Sequence, residues 1–150
     1  PERRARYAGT LGPACQRMGV RMCLPPRVTP RPYTDLAFQG LYFAREQGRE
    51  EAYHSRVFRA YFQEERDIGD IGVLTELAEE AGLEPEAFRQ ALERGIWAER
   101  FHREVRQVKE TLDIRVVPTL LAGGERLEGF IPDLETLENW LRQIREKADG

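Results

Sequence analysis

A proline stands inside the most strand-like run of the chain, Val116-Val117-Pro118-Thr119-Leu120-Leu121-Ala122, and it limits what that run can become. Proline has no backbone N–H, so within sheets it is confined to the head of a strand, an edge or a bulge. An otherwise apolar, β-branched run must therefore begin its pairing at or after Pro118. Gly123-Gly124 follows at once, and Glu125-Arg126-Leu127-Glu128-Gly129-Phe130 then continues in a strand-like pattern. The order is strand, tight turn, strand. Asp133 is placed to cap a final helix whose Leu134, Leu137, Leu141 and Ile144 recur at helical spacing and are expected to face inward. A hairpin and one helix do not make a stable sheet alone, so this ending needs further strands.

Upstream the period changes from two to three or four, and residues 33–112 read as one compact helical array. Thr34 is expected to cap a helix whose Ala37, Leu41 and Ala44 line one face, with Gly48 ending it. A second helix carries Tyr53, Val57, Phe58, Tyr61 and Phe62, an aromatic stripe of the kind that fills a core. Asp70 is expected to cap the next, which runs through Leu74, Leu77, Ala78 and Ala81 to Gly82. Pro85 suits the first turn of another, containing Phe88, Ala91 and Leu92 and closed by Gly95. Trp97, Phe101, Val105, Val108 and Leu112 then predict the longest helix of the chain.

Residues 1–32 form a third region. Tyr7, Leu11, Ala14, Cys15 and Met18 share helical spacing, and Gly12-Pro13 predicts a helix that bends or restarts at Pro13. Val20, Met22 and Leu24 alternate with Arg21 and Cys23 as a half-buried extended segment would, until Pro25-Pro26. Prolines crowd the stretch up to residue 32, which becomes a stiff connector. The region holds seven arginines against one acid, Glu2. They are scattered among Pro, Gly and apolar residues with no stacking aromatics, so a solvated face or a surface meeting another part of the protein is expected, and no nucleic-acid partner.

No apolar run approaches the roughly 18 residues of a membrane-spanning helix, so no membrane partner is expected. Cys15 and Cys23 are spaced as neither a Cys-x-x-Cys redox pair nor a zinc pair; two free, half-buried thiols are expected, with a mutual bridge or an assisting redox role as the alternatives. His54 and His102 have no ligand-type neighbours at metal spacing, and the loop Glu65–Asp70 lacks the spaced oxygens of a calcium site. No metal or cofactor is expected. The chain opens at Pro1 without an initiator Met or a leader pattern and reads as an internal fragment.

Together these segments carry a resemblance. FRAYFQEERDIGDIGVLTELAEEAGLEPEAFRQAL, preceded by Phe43-Ala44-Arg45-Glu46-Gln47-Gly48 and followed by VPTLLAGGERLEGFIPDLETLENWL, resembles the DsbA-like thioredoxin-fold family, in its branch of FrnE proteins and 2-hydroxychromene-2-carboxylate isomerases. The likeness covers essentially the whole chain. It implies an α/β fold of the thioredoxin-like, DsbA type, divided here into residues 1–32, a helical insertion over 33–112, and a carboxy-terminal ββα part over 113–150. In that family a strand, a helix opening with Cys-x-x-Cys or a Ser variant, and a second strand precede the insertion, and none of these is in this sequence. A cleaved chain, an unseen amino-terminal part, or sheet completion by a second copy in a homodimer would each account for that.

The resemblance also implies a function. Val117 would offer its backbone to an extended substrate, Pro118 would hold a cis peptide, and Thr119 would continue the strand; a trans proline opening an edge strand is the alternative. The implied activity is thiol-disulfide exchange with protein or small thiol substrates, glutathione among them, in the cytoplasm, with the present chain inactive alone. Two rivals are a glutathione-dependent isomerase with Ser in place of the attacking Cys, and a non-catalytic helical binding module. Phe130, just after Gly129, is expected in the core, with a place flanking the cleft as the alternative.

Overall fold

The computed structural model describes residues 2–130 and 132–148, excluding the side chains of residues 2–8 and 10. Tyr7, expected on the apolar face of the first helix, has its side chain outside the described residues. The elements are α1 (Glu2–Arg17), α2 (Asp35–Glu46), α3 (Glu50–Phe62), α4 (Ile71–Glu80), α5 (Pro85–Glu93), α6 (Ala98–Glu110), β1 (Thr119–Ala122), β2 (Glu125–Glu128) and α7 (Leu134–Ala148). They fall into two compact units, Pro1–Arg103 and Glu104–Gly150.

Local chemistry starts and stops the helices of the first unit. The Asp70 carboxylate accepts the Val73 N–H at 2.9 Å and opens α4. Glu84 does the same for α5, accepting from Glu86 and Ala87, while Pro85 occupies a first turn where a missing N–H costs nothing. Thr34 stands at the start of α2 but makes no side-chain cap, because its backbone is already helical (φ −96°, ψ −1°) rather than extended. Gly48, Gly82 and Gly95 follow α2, α4 and α5 with positive φ.

The core of this unit is built on α2 to α5. Tyr53, Phe88, Leu74 and Leu77 are fully buried, and Ala44, Ala60 and Ala78 let the helices approach. Phe88 stands edge-on to Phe43 at 5.5 Å and tilted against Tyr53 at 5.4 Å. This packing depends on Gly40, inside α2, where an added Cβ would lie 2.3 Å from Tyr53 Oη and 2.7 Å from Phe88 Cζ. Burial pushes the Tyr53 phenol well above its ordinary titration range.

Two expectations are corrected here. Phe58 is not core: it is 52% exposed and rests on His54 and Phe62. It follows the buried Val57 by one residue, a rotation of about 100° that carries it off the inward face. The helix after Trp97 is not the longest, since α6 has 13 residues against 16 in α1. It ends at Glu110, and Asp113 beyond it takes φ +47°. Of the two outcomes expected at Pro13, a restart does not occur, since α1 runs to Arg17 as one helix with Pro13 inside it. The extended segment after it joins no sheet; Cys23 N–H donates instead to Phe62 O at 2.6 Å.

An ion-pair network ties α3, the 63–70 loop and α4 together. Arg56, whose side chain is only 13% exposed, binds Glu64 at 2.9 Å and Glu80 at 2.5 Å. Arg66 pairs with Glu76 and lies 3.8 Å from Glu80. The Arg56 guanidinium holds the Glu80 carboxyl below its ordinary value of 4.5, with Arg66 adding to the effect.

Two outcomes follow from this packing. Gly40→Ala should destabilise the protein by about 1–3 kcal/mol through overpacking, read as a lower urea midpoint at unchanged slope; an unchanged midpoint would show that Tyr53 and Phe88 yield freely. Glu80→Gln should be less stable at pH 7 by about 0.5–1 kcal/mol. A depressed carboxyl stabilises above its unfolded pKa and loses that contribution as pH falls through the folded one. The gap between variant and parent in urea melts should therefore close below about pH 4, and a gap that persisted there would contradict the charge origin.

Candidate functional site

The second unit contains β1, β2 and α7, and its hairpin has a defined phase. β1 and β2 pair antiparallel with Thr119 opposite Glu128, Leu120 opposite Leu127, Leu121 opposite Arg126 and Ala122 opposite Glu125. Gly123 and Gly124 have φ of +55° and +78°, the two positive values that a tight primed turn requires. Beyond the strands Gly129 N–H donates to Pro118 O at 2.9 Å. Hydrogen-bonding direction alternates along an antiparallel strand, so Pro118, Leu120 and Ala122 address β2. Thr119 and Leu121 then aim their N–H and C=O groups away from β2, at an edge unpaired among the described residues.

Side chains divide in the same way. Leu120, Ala122, Glu125 and Leu127 share one face, where Lys147 of α7 pairs with Glu125 at 2.8 Å. At the turn an added Cβ on Gly123 would sit 2.4 Å from Ile144 Cγ2, so α7 lies tight against it. The other face holds Thr119, Leu121, Arg126 and Glu128. A four-residue strand spans about 13 Å and a 15-residue helix about 22 Å, so α7 outreaches the hairpin. That corrects two expectations: Leu134 and Leu141 are 70% and 46% exposed, while Leu137 and Ile144 are half-buried. Phe130 is corrected too, being 48% exposed rather than core, since it follows the end of β2 where no described strand covers it.

Val117, Pro118 and Thr119 meet at the head of β1. Val117 is 83% exposed and Pro118 is also exposed. The Thr119 hydroxyl donates to Val116 O at 2.5 Å, bridging back over Val117 and Pro118. The Val117–Pro118 peptide is cis, as are Leu24–Pro25 and Thr29–Pro30. Arg126, on β2, holds the approach to this loop: its guanidinium donates to Asp113 O at 3.1 Å and to Leu112 O, and pairs with Glu128 at 3.0 Å. Sequence reading missed Arg126, because a charged residue on a strand looks like any solvated side chain until its partners are known.

The remaining candidates are ordinary. His54 and His102 are exposed on α3 and α6. Asp67 accepts from Gly69 N–H at 2.9 Å and Asp70 caps α4, so both loop carboxylates are engaged locally. Cys15 and Cys23 are free and half-buried. Among the described residues no three His, Cys, Asp or Glu side chains cluster as metal ligands, and no helix is long and apolar enough to cross a membrane.

Comparison with known proteins identifies a family and a relative. A family model described as a DSBA-like thioredoxin domain matches residues 2–145. The chain is 39% identical over 129 residues to a protein of Bacillus subtilis (strain 168) named Uncharacterized protein YwbO, covering 86% of this chain and 64% of that protein. The chain thus spans a little under two thirds of that relative's length.

Arg126→Ala should leave the 112–117 loop without its main tether. Amide exchange across those residues is expected to quicken about tenfold, the loss of roughly 1.4 kcal/mol of local protection. Unchanged exchange would mean that the loop is held without Arg126.

Proposed function

The chain belongs to the DSBA-like thioredoxin domain family, and on that premise we propose that the whole protein is a thiol-disulfide oxidoreductase of the FrnE type, for which this chain supplies the substrate-docking half. The observation that carries the reading is the head of β1. Val117, 83% exposed just ahead of Pro118, stands outside the β1–β2 ladder, where an extended peptide can reach its backbone. Main-chain pairing would give affinity without demanding a particular side-chain sequence, as an enzyme acting on many disulfides needs. Val117 and Thr119 provide the contacts and Pro118 sets the direction of entry.

The chemistry itself requires a pair of cysteines beside this loop. A thiolate attacks one sulfur of the substrate disulfide, forms a mixed disulfide and expels the other sulfur as a thiolate. The second cysteine then attacks the mixed disulfide, releasing the substrate reduced and leaving the enzyme pair oxidised; the reverse sequence oxidises a dithiol substrate. Cys15 and Cys23 do not have the spacing for this, and the pair is assigned to the part of the protein outside this chain. Peptide disulfides and small thiols such as glutathione are the substrate class. Two free thiols and no disulfide staple support a cytoplasmic setting.

Reduction of insulin by the full-length protein, followed as turbidity, tests the reading. Activity is expected in the full-length protein, absent from the 150-residue chain, and abolished when the first cysteine of the redox pair is changed to Ser. A full-length protein with Ser at the attacking position and glutathione-dependent isomerase activity would replace this proposal with the isomerase reading. Inactivity in both assays would leave a binding module.

A further inference from the structure

Every sulfur atom of this chain lies between positions 15 and 23, on Cys15, Met18, Met22 and Cys23. The fold brings two of them into contact. α1 ends at Arg17, and Gly19 reverses the chain with φ +66°. Gly19 N–H bonds to Gln16 O at 3.3 Å and Val20 N–H to Cys15 O at 2.9 Å, which turns the following segment back over the last turn of the helix. Met22 arrives with its Sδ 3.3 Å from Cys15 Sγ, in a half-buried position. Met18 follows Cys15 by three residues, just past the end of α1, its backbone N–H bonded to Ala14 O at 3.0 Å, and it is 70% exposed. Cys23 points elsewhere: its thiol faces Gln63 O at 3.9 Å, and its N–H is pinned to Phe62 O.

Packing alone would be served as well by leucine or valine, residues the chain uses freely elsewhere. A thiol and a thioether in contact, with a second thioether three residues along the chain and no carboxylate or imidazole in the set, form a soft donor group. We propose that Cys15 and Met22, assisted by Met18, bind a soft monovalent metal ion of the Cu(I) class. On binding, Cys15 Sγ loses its proton to solvent and gives a lone pair to the ion; the two thioether sulfurs each give a lone pair, and no oxidation state changes. Metal–sulfur bonds of about 2.3 Å require the sulfurs to spread to roughly 4 Å, a movement within the reach of an unbranched methionine side chain. A monovalent ion on one thiolate leaves a neutral complex. A divalent ion would add positive charge between Arg17 and Arg21, the cationic residues flanking the site in sequence.

The test is transfer of Cu(I) from its coloured bicinchoninate complex to the chain in the absence of oxygen. One ion per chain should transfer. Cys15→Ser and Met22→Leu should each weaken binding by about tenfold or more, and Met18→Leu by roughly threefold. Cys23→Ser should leave it unchanged. Met22→Leu conserves volume, and an unaltered circular dichroism melt will show that the fold is kept. As a second readout, Ag(I) should shield Cys15 but not Cys23 from iodoacetamide, mapped by peptide mass. No transfer, transfer that survives Met22→Leu, or a loss as large in Cys23→Ser would overturn the proposal.

Discussion

The hydrogen bond from Gly129 N–H to Pro118 O sets the phase of the hairpin, and the site depends on it. Once Pro118 addresses β2, alternation sends the backbone groups of Thr119 and Leu121 to the opposite edge. A shift of one residue would reverse that and would also exchange the two faces of the hairpin, putting Leu120 and Leu127 where Leu121 and Arg126 now stand. The register is held at both ends, by the Gly123-Gly124 turn and by the tether from Arg126 to Leu112 and Asp113. Proline fits because its missing N–H falls at the end of the ladder, where only its carbonyl is used.

The helical unit solves a different problem with the same economy of contacts. Gly40, a poor residue for a helix interior, is tolerated because it lets Tyr53 and Phe88 close over α2. Outside that core, Arg56 and Arg66 gather Glu64, Glu76 and Glu80 across three segments. The core carries most of the stabilisation, since half-exposed ion pairs contribute little each. Their role is to fix how the loop meets α4, whose start is already set by Asp70.

Much of this was legible in the amino acids, wherever a local rule decided the outcome. Asp70, Pro85, Asp133 and the Gly-Gly turn act through neighbours a few residues away, and their positions in the sequence suffice to place them. Family membership was legible for a different reason, since helical insertion, Val-Pro-Thr, hairpin and capped helix occur in one order. What escaped depends on distant partners. Phe58, Phe130 and Leu134 are apolar at plausible spacing, yet whether each is covered depends on which surfaces lie opposite. Thr34 has the right side chain for a cap and the wrong backbone angles. Arg126 gains its role only because folding brings two carbonyls to its guanidinium.

The shortness of β1 has a consequence for self-association. An unpaired strand edge is a template on which further chains can stack, and long flat edges are the dangerous ones. Here the available rim is two residues long, bounded by a proline ring on one side and a glycine reversal on the other. A passing polypeptide can settle there briefly, but a growing stack of identical chains finds too little ladder to propagate. A rim this short makes a poor seed for fibrils.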